Sequence, residues 1–596
     1  MKKYLLVLVG LCCVLSYALA ERPDYPELKK SDANIIGHVL DKKTKEHLPY
    51  ITIALKGTTI GTVTDATGHY FLKNLPEGNF ILEVSSVGYK TVTRNVTLKK
   101  GKTLEEDFEI EEDAIALDGV VVSANRSETT RRMAPTLVNV VDLKLFETTN
   151  SSTLSQGLNF QPGVRVETNC QNCGFQQVRI NGLDGPYTQI LIDSRPVFSA
   201  LSGVYGLEQI PASMIERVEV MRGGGSALFG SSAIAGTINI ITKEPLRNSG
   251  QLSHTITSLG GSSSFDNNTS LNASLVTDDH RAGLYIFGQN RYRSGYDYDG
   301  DGFTELPKLK NQTVGFRSYL KTSTYSKLTF EYHHMQEFRR GGDMLNRPPH
   351  EAHIAEQLQH SIDGGSLKFD YFSPDEKNRL SVFASAANTD RDSYYGPGND
   401  PLKAYGKTTD LTAMGGAQYV HTFDKCFFMP SDLTAGLEYN RDRLKDNMWG
   451  YNRHTDQTVN IYSAFLQNEW KNDRWGILIG GRLDKHNMVD NVIFSPRANL
   501  RFNPTQNINL RLSYSSGFRA PQAFDEDMHI ENVGGTVAMI ERAKDLKEEK
   551  SQSFSVSADM YHRFGAFQTN LLIEGFYTRL TDVFVLGKPY DRGDGI

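Results

Sequence analysis

After its first twenty residues the chain has no long apolar run: 39% of its 596 residues are hydrophobic, and no later stretch could cross a bilayer as a helix. That excludes spanning helices but not a spanning barrel, whose strands need apolar side chains only at alternate positions. Cysteine is scarce. Of five, Cys12 and Cys13 sit in the leader, leaving Cys170, Cys173 and Cys426. An exported chain with this set has at most one disulfide and an odd thiol, so it is no disulfide scaffold. Basic excess is missing too: 64 Lys and Arg against 70 Asp and Glu give a net charge of -6, which argues against a nucleic-acid partner. No H-E-x-x-H or similar zinc-peptidase spacing occurs, and no other constellation points to catalysis. What is plentiful is Gly (52), Phe (30) and Tyr (27). Abundant glycine and aromatics with modest hydrophobicity fit a membrane β-barrel.

Residues 1–20 read as a secretory leader: Lys2 and Lys3, an apolar stretch from Tyr4 to Leu15, and Ala18-Leu19-Ala20 for cleavage. Pro23 and Pro26 mark 21–33 as a linker. Over 34–110, short runs such as Ile51–Leu55 and Phe80–Val84 alternate with turn signals at Gly57, Gly68 and Gly78, which predicts a small β-sandwich. An acidic connector follows, then Asp118-Gly119-Val120-Val121-Val122-Ser123-Ala124. An exposed valine run on a mobile tether suits strand addition to a partner's sheet edge; the alternative is a strand that merely opens the next domain. From 249 onward the chain alternates with period 2. Ile508, Leu510, Leu512 and Tyr514 take one face, and Asn509, Arg511 and Ser513 the other. Apolar-out and polar-in strands joined alternately by short turns and long loops predict an outer-membrane barrel.

The stretch RVEVMRGGGSALFGSSAIAGTINIITKEP (Arg217 to Pro245) breaks on successive glycines and ends in a β-branched run. Its wording resembles the plug domain of TonB-dependent outer-membrane receptors. Gln161-Pro162-Gly163-Val164-Arg165-Val166, Val178-Arg179-Ile180-Asn181-Gly182 and Ile190-Leu191-Ile192-Asp193-Ser194-Arg195 resemble its other landmarks. Members of that family usually carry Arg at the place of Asn181 and Gly at that of Ser194. Thr64-Asp65 and Gly68-His69-Tyr70 are similar to the carboxypeptidase regulatory-like domain that precedes many such receptors. The implied fold class is mainly β: an N-terminal β-sandwich (34–110), a linker with a TonB box at 118–124 (111–125), a mixed α/β plug (126–246) and a transmembrane antiparallel β-barrel (247–596). Roughly 15 barrel strands are countable against the about 22 of plugged transporters, so a chain truncated at its C-terminus is expected. The resemblance implies a place in the outer membrane of a Gram-negative bacterium, with the N-terminal domain periplasmic. The implied partners are TonB with its inner-membrane energising complex, outer-membrane lipid and a surface lipoprotein.

Candidate ligand residues lie in the plug apex and outer loops, the latter placed near 294–310, 337–360, 390–409, 444–458 and 519–550. Cys170 and Cys173 form either a short disulfide or a soft-metal pair for Cu(I) or Zn²⁺, with no third ligand named by the sequence. Phe198, Leu201 and Tyr205 belong to a segment similar to the ligand-contacting plug loop of the family's cobalamin receptor. Phe518-Arg519-Ala520-Pro521 resembles the FRAP box of haem receptors, and His529 beyond it is either an axial haem ligand or a solvated residue. Asp297, Asp299, Asp301 and Glu305 offer hard oxygens to a calcium ion, or form a solvated acidic loop. His350, Glu351, His353 and His360 are expected together in one outer loop. The implied activity is TonB-driven import of an iron siderophore or haem, with cobalamin or copper as alternatives, and no cofactor of its own. A surface adhesin or phage/bacteriocin receptor is the other class.

Overall fold

The computed structural model describes residues 30–591, except 50, 66, 87–88, 112–119, 171, 197–207, 209, 278, 398–403, 524, 534–535, 544 and 565–566. Residues 1–20, expected to be a leader, residues 21–29, Asp118, Gly119, Phe198, Leu201 and Tyr205 lie outside the described residues.

Two small sheets form the N-terminal domain. In the first, Lys30–Asp41 runs antiparallel to His69–Pro76 and parallel to Thr103–Glu105 and Phe108–Ile110. In the second, Thr52–Leu55 lies between Gly61–Val63 and Gly78–Ser85, which pairs in turn with Val92–Leu98. Ile35, Val39, Ile53, Leu72, Leu82, Val84 and Phe108 share one apolar core. The first strand starts at Lys30, inside the expected linker, because Ser31 and Ala33 are already buried and Ser31 Oγ donates to the Leu75 carbonyl at 2.7 Å.

The second domain is a five-stranded mixed sheet in the order Val138–Asp142, Ile215–Arg222, Gly236–Thr242, Thr188–Ile192, Arg195–Pro196. Three short helices accompany it among the described residues: Leu143–Thr148, capped by Asp142 accepting from Leu145 N at 2.9 Å, Leu154–Leu158 and Ser226–Phe229. Within the glycine knot, a Cβ on Gly236 would stand 2.3 Å from the Met221 carbonyl oxygen. That oxygen belongs to the sheet backbone and cannot swing away. Gly236→Ala is therefore expected to cost about 1–3 kcal/mol by overpacking, read as a lower thermal midpoint of the full chain with the barrel still assembled.

Fifteen antiparallel strands, from Ser249–Ser258 to Phe567–Thr581, pair in sequence order and wrap around this second domain. Their polarity is inverted relative to a soluble protein. Leu252, Leu437, Leu466, Ile479, Phe494, Leu512 and Val556 are exposed on the outside, whereas Arg291, Arg339, Arg391, Arg482, Arg497 and Arg511 are buried on the inside. In Ile508–Arg519 the alternation is the expected one: Asn509 and Arg511 are buried while Leu510 and Leu512 are exposed. Buried inward arginines are bonded to the enclosed domain: Arg511 Nε donates to the Ala134 carbonyl at 3.1 Å and Arg497 to that of Ala124 at 3.0 Å. The N-terminal sandwich meets the barrel at two short turns, where Thr59 N donates to the Thr324 carbonyl at 2.8 Å and Thr62 Oγ1 lies 3.1 Å from His280 Nε2.

Two expectations are corrected. The loops placed at 337–360, 390–409 and 444–458 are short, because strands Ser326–Gly342, Ile354–Phe372, Asn378–Pro397, Tyr405–Cys426, Met429–Met448 and Arg453–Lys471 run far into them. There both faces are polar, so the alternation of hydrophobicity that marks a strand disappears. Consequently His360 is a buried strand residue 3.5 Å from Glu337, apart from the exposed His353. The valine run is likewise not an exposed tether in its described part. Val120–Val121 pairs with Thr129–Thr130, and Val121 and Ala124 are buried with Ala134, Val138 and Phe229. The buried Glu219 carboxylate accepts from Val122 N (2.9 Å), Ser123 N (2.9 Å) and Ser123 Oγ (2.7 Å). A carboxylate in the inner sheet needs donors, and this segment supplies them.

Candidate functional site

The hairpin Val164–Cys170/Phe175–Ile180 rises from the inner domain towards the barrel end that carries loop 520–548. Its tip turns on Gly174 (φ +69°), whose N–H donates to the Cys170 carbonyl at 3.0 Å. The barrel wall holds the tip. Arg339, itself paired with Glu337 and Glu208 at 2.7 Å each, reaches the Gly174 carbonyl at 3.4 Å. A Cβ on Gly341 would lie 1.8 Å from the Asn172 carbonyl oxygen, so a side chain at 341 would displace the turn.

Four side chains from three elements meet here. Cys170 and Cys173 come from the hairpin tip, Glu356 from wall strand Ile354–Phe372 and His529 from the loop after helix Asp525–Met528. Their ligand atoms all lie within 4.8 Å of one another. Cys170 Sγ donates to Glu356 Oε2 at 3.1 Å, Cys173 Sγ is 3.4 Å from His529 Nε2, and His529 Nε2 is 3.6 Å from Glu356 Oε2. The two sulfurs are not bonded to each other in this structure. Cys173 and Glu356 are buried. Ala352, Tyr394, Tyr395, Met448 and Ile530 wall the cluster, and the Tyr395 ring meets the His529 ring edge-on at 5.5 Å. Cys173's hydrogen bond outweighs burial and brings the Cys170 thiol down to about 7. Burial opposes charge on His529, but hydrogen bonds to Cys170 and Glu356 prevail and hold its pKa up at about 10.

Other expected residues stand elsewhere. Phe518 is fully buried beside Val489, Ile493 and Ala520, and Arg519 lies 3.5 Å from Glu549 with its guanidinium over Tyr187. Both brace the wall and neither joins the cluster. Asp297, Asp299, Asp301 and Glu305 do converge within 4.8 Å. All four also accept backbone amides, among them Gly300 N on Asp297 at 2.7 Å and Phe303 N on Asp301 at 2.8 Å, so the loop closes on itself. Glu356 was not found from the sequence, because it lies in a stretch read as loop.

Between inner domain and wall lie two cavities of about 160 Å³ and 260 Å³. Ion pairs cross the same gap: Arg222 to Glu574 at 2.5 Å, Arg339 to Glu208 at 2.7 Å, and the close pairs Arg126–Glu438 and Arg317–Asp193.

Comparison with known proteins places this architecture. Residues 236–595, more than half of the chain, match the family model described as TonB dependent receptor-like, beta-barrel. The chain belongs to the TonB-dependent receptor family. Residues 130–237 of the receptor match the TonB-dependent Receptor Plug Domain and 35–122 the CarboxypepD_reg-like domain. It is 24% identical over 425 residues to the vitamin B12 transporter BtuB of Vibrio vulnificus strain CMCP6, covering 68% of the receptor and 64% of that relative. It is 33% identical over 174 residues to the BtuB of strain YJ016, covering 28% of each. The receptor thus spans less than two thirds of either relative's length. Its fold resembles the siderophore receptor PirA from Acinetobacter baumannii (TM-score 0.61, 18% identity, covering 76% and 78% of the two chains). It also resembles the ferric enterobactin receptor PfeA from Pseudomonas aeruginosa (TM-score 0.61, 18% identity, 76% and 71%). The receptor is an outer-membrane β-barrel protein, and the second domain is its plug.

Proposed function

We propose that the receptor is an energy-coupled importer of a scarce metal chelate, an iron siderophore complex before haem, with cobalamin or copper as the alternatives. The observation that carries this reading is the closed plug. The cavities beside it, about 160 Å³ and 260 Å³, are smaller than the roughly 300–1,000 Å³ that even drug-sized ligands occupy. Passage through either of these spaces therefore requires the plug to move, and buried ion pairs resist that movement until work is supplied. Residues 118–124 are the point where TonB applies it, by strand addition. Siderophore and vitamin B12 relatives support a metal-bearing cargo. Haem is disfavoured because His529 Nε2 stands 3.4 Å from the Cys173 sulfur, which leaves no room for a porphyrin between them. Calcium in the loop Asp297–Glu305 belongs to the same reading as an accessory that stiffens the outer face.

Deleting residues 118–124 tests the proposal. Cells carrying the deletion are expected to bind radiolabelled ferric siderophore or cobalamin at the surface as before and to accumulate none. An adhesin or phage/bacteriocin receptor would lose nothing on the same deletion, and uptake that survives it would overturn the importer reading.

A further inference from the structure

We infer that Cys170, Cys173, His529 and Glu356 bind one bare Zn²⁺ ion in a tetrahedral site that ties the plug apex to the barrel wall and to loop 520–548. This goes beyond the import reading and stands whichever chelate the receptor carries.

Spacing is the first support. A tetrahedral zinc site with bonds of about 2.0–2.3 Å has ligand–ligand edges of roughly 3.3–3.8 Å. Three of the six edges, 3.1 Å (Cys170–Glu356), 3.4 Å (Cys173–His529) and 3.6 Å (His529–Glu356), fall at or near that range, and all six lie within 4.8 Å. The side chains thus already stand about where a zinc ion needs them.

Ligand chemistry is the second support. Two thiolates favour a thiophilic ion, and the imidazole is common to zinc and copper sites. The carboxylate is a hard oxygen that suits Zn²⁺ and is a poor ligand for Cu(I). Four protein ligands close the coordination sphere, as in structural zinc sites, and leave no position open for catalysis. On binding, both thiols and the His529 imidazolium give up their protons to solvent, and Glu356 ligates as the carboxylate. No oxidation or reduction occurs.

Placement is the third support. The hairpin tip does not depend on the ion for its position, since Arg339 and the gap at Gly341 already seat it. Likewise Arg453 donates to the Met528 carbonyl at 2.9 Å and steadies the approach of His529. The apolar wall of Tyr394, Tyr395, Met448 and Ile530 limits water at the cluster. The four groups pair with one another without the ion, so the donors are already gathered from three elements at one part-dry point where an ion can enter among them.

The test uses the full chain purified in detergent, reduced, stripped with a chelator and titrated with zinc chloride alone and, separately, with Co²⁺ as a spectroscopic probe. We expect one equivalent of Zn²⁺ bound, and a Co²⁺ adduct with thiolate charge-transfer bands and the intense visible bands of tetrahedral geometry. Cys170→Ser/Cys173→Ser should abolish binding, and His529→Ala and Glu356→Gln should each weaken it by about tenfold or more. Cys426→Ser, outside the cluster, should bind as the parent does and shows that a serine exchange by itself leaves binding intact. Equal zinc content in the parent and the double variant, octahedral cobalt spectra, or exclusive uptake of Cu(I) over Zn²⁺ in competition would each overturn the assignment.

Discussion

Glu438→Ala should loosen the plug inside the barrel by about 3–5 kcal/mol, the cost of removing one partner from a buried ion pair. Glu438 is the shared anion of Arg126 from the plug and Arg482 from the wall, the latter at 2.7 Å, and all three side chains are almost fully buried. Arg482 keeps Asp484 at 2.8 Å and the Leu228 carbonyl at 3.2 Å when Glu438 is lost. Arg126 does not fare as well. Its guanidinium would be left between the Phe229 and Phe465 rings, 4.9 Å and 4.7 Å away, which offer far less than a carboxylate. At about 1.4 kcal/mol per tenfold, plug opening should rise by roughly two to three and a half orders of magnitude. Hydrogen exchange reads this directly: amides of Ile215–Arg222 should lose protection while barrel-strand amides keep theirs. Unchanged plug protection would mean that the ion pairs do not hold it. Glu438→Gln, which keeps an acceptor, should fall between the two.

Glu219→Ala should release residues 120–124 from the plug. Three donors converge on one carboxylate, and hydrogen bonds to a charged group are worth about 1.5–3 kcal/mol each. Even a net third of that sum shifts the docked segment towards solvent by tenfold or more. Arg217 loses one partner at 3.0 Å but retains Glu216 at 2.9 Å, so the sheet itself should persist. A nitroxide at Val120→Cys is expected to be immobile in the parent background and mobile with Glu219→Ala. If residues 118–124 pair with TonB as proposed, binding of the isolated TonB C-terminal domain should tighten in step, because the segment would no longer have to be pulled from the plug first. An equally immobile label in both backgrounds would show that Glu219 does not hold the segment.

These two interactions also mark where sequence reading stops. The barrel was legible wherever one face meets lipid, as at Leu510 and Leu512 against Asn509 and Arg511. The glycine knot read as short strands and tight turns, and only its resemblance to the plug domain of TonB-dependent receptors identified it as a plug. Beyond the membrane the strands continue with polar residues on both faces, so Glu356 and His360 read as loop. The cluster at the apex was half visible. Cys170 and Cys173 are close in sequence, but Glu356 is 186 positions from Cys170 and His529 is 356 from Cys173, and only the curving of the sheet around the plug brings them together. For Val120 to Ala124 the sequence left two readings open, a tether and a strand that opens the plug, because a valine run looks the same whether it waits in solvent or lies against Glu219; the structure has the strand.

Everything rests on an inverted barrel with the plug lodged inside it. Collisional quenching in vesicles, with a fluorophore at residue 511, 512 or 513 in turn, tests that geometry most directly. A label on Leu512→Cys should be quenched by a lipid-dissolved nitroxide, and labels on Arg511→Cys and Ser513→Cys should be protected from it. Equal quenching of all three by a water-soluble agent, with none from the lipid probe, would contradict it.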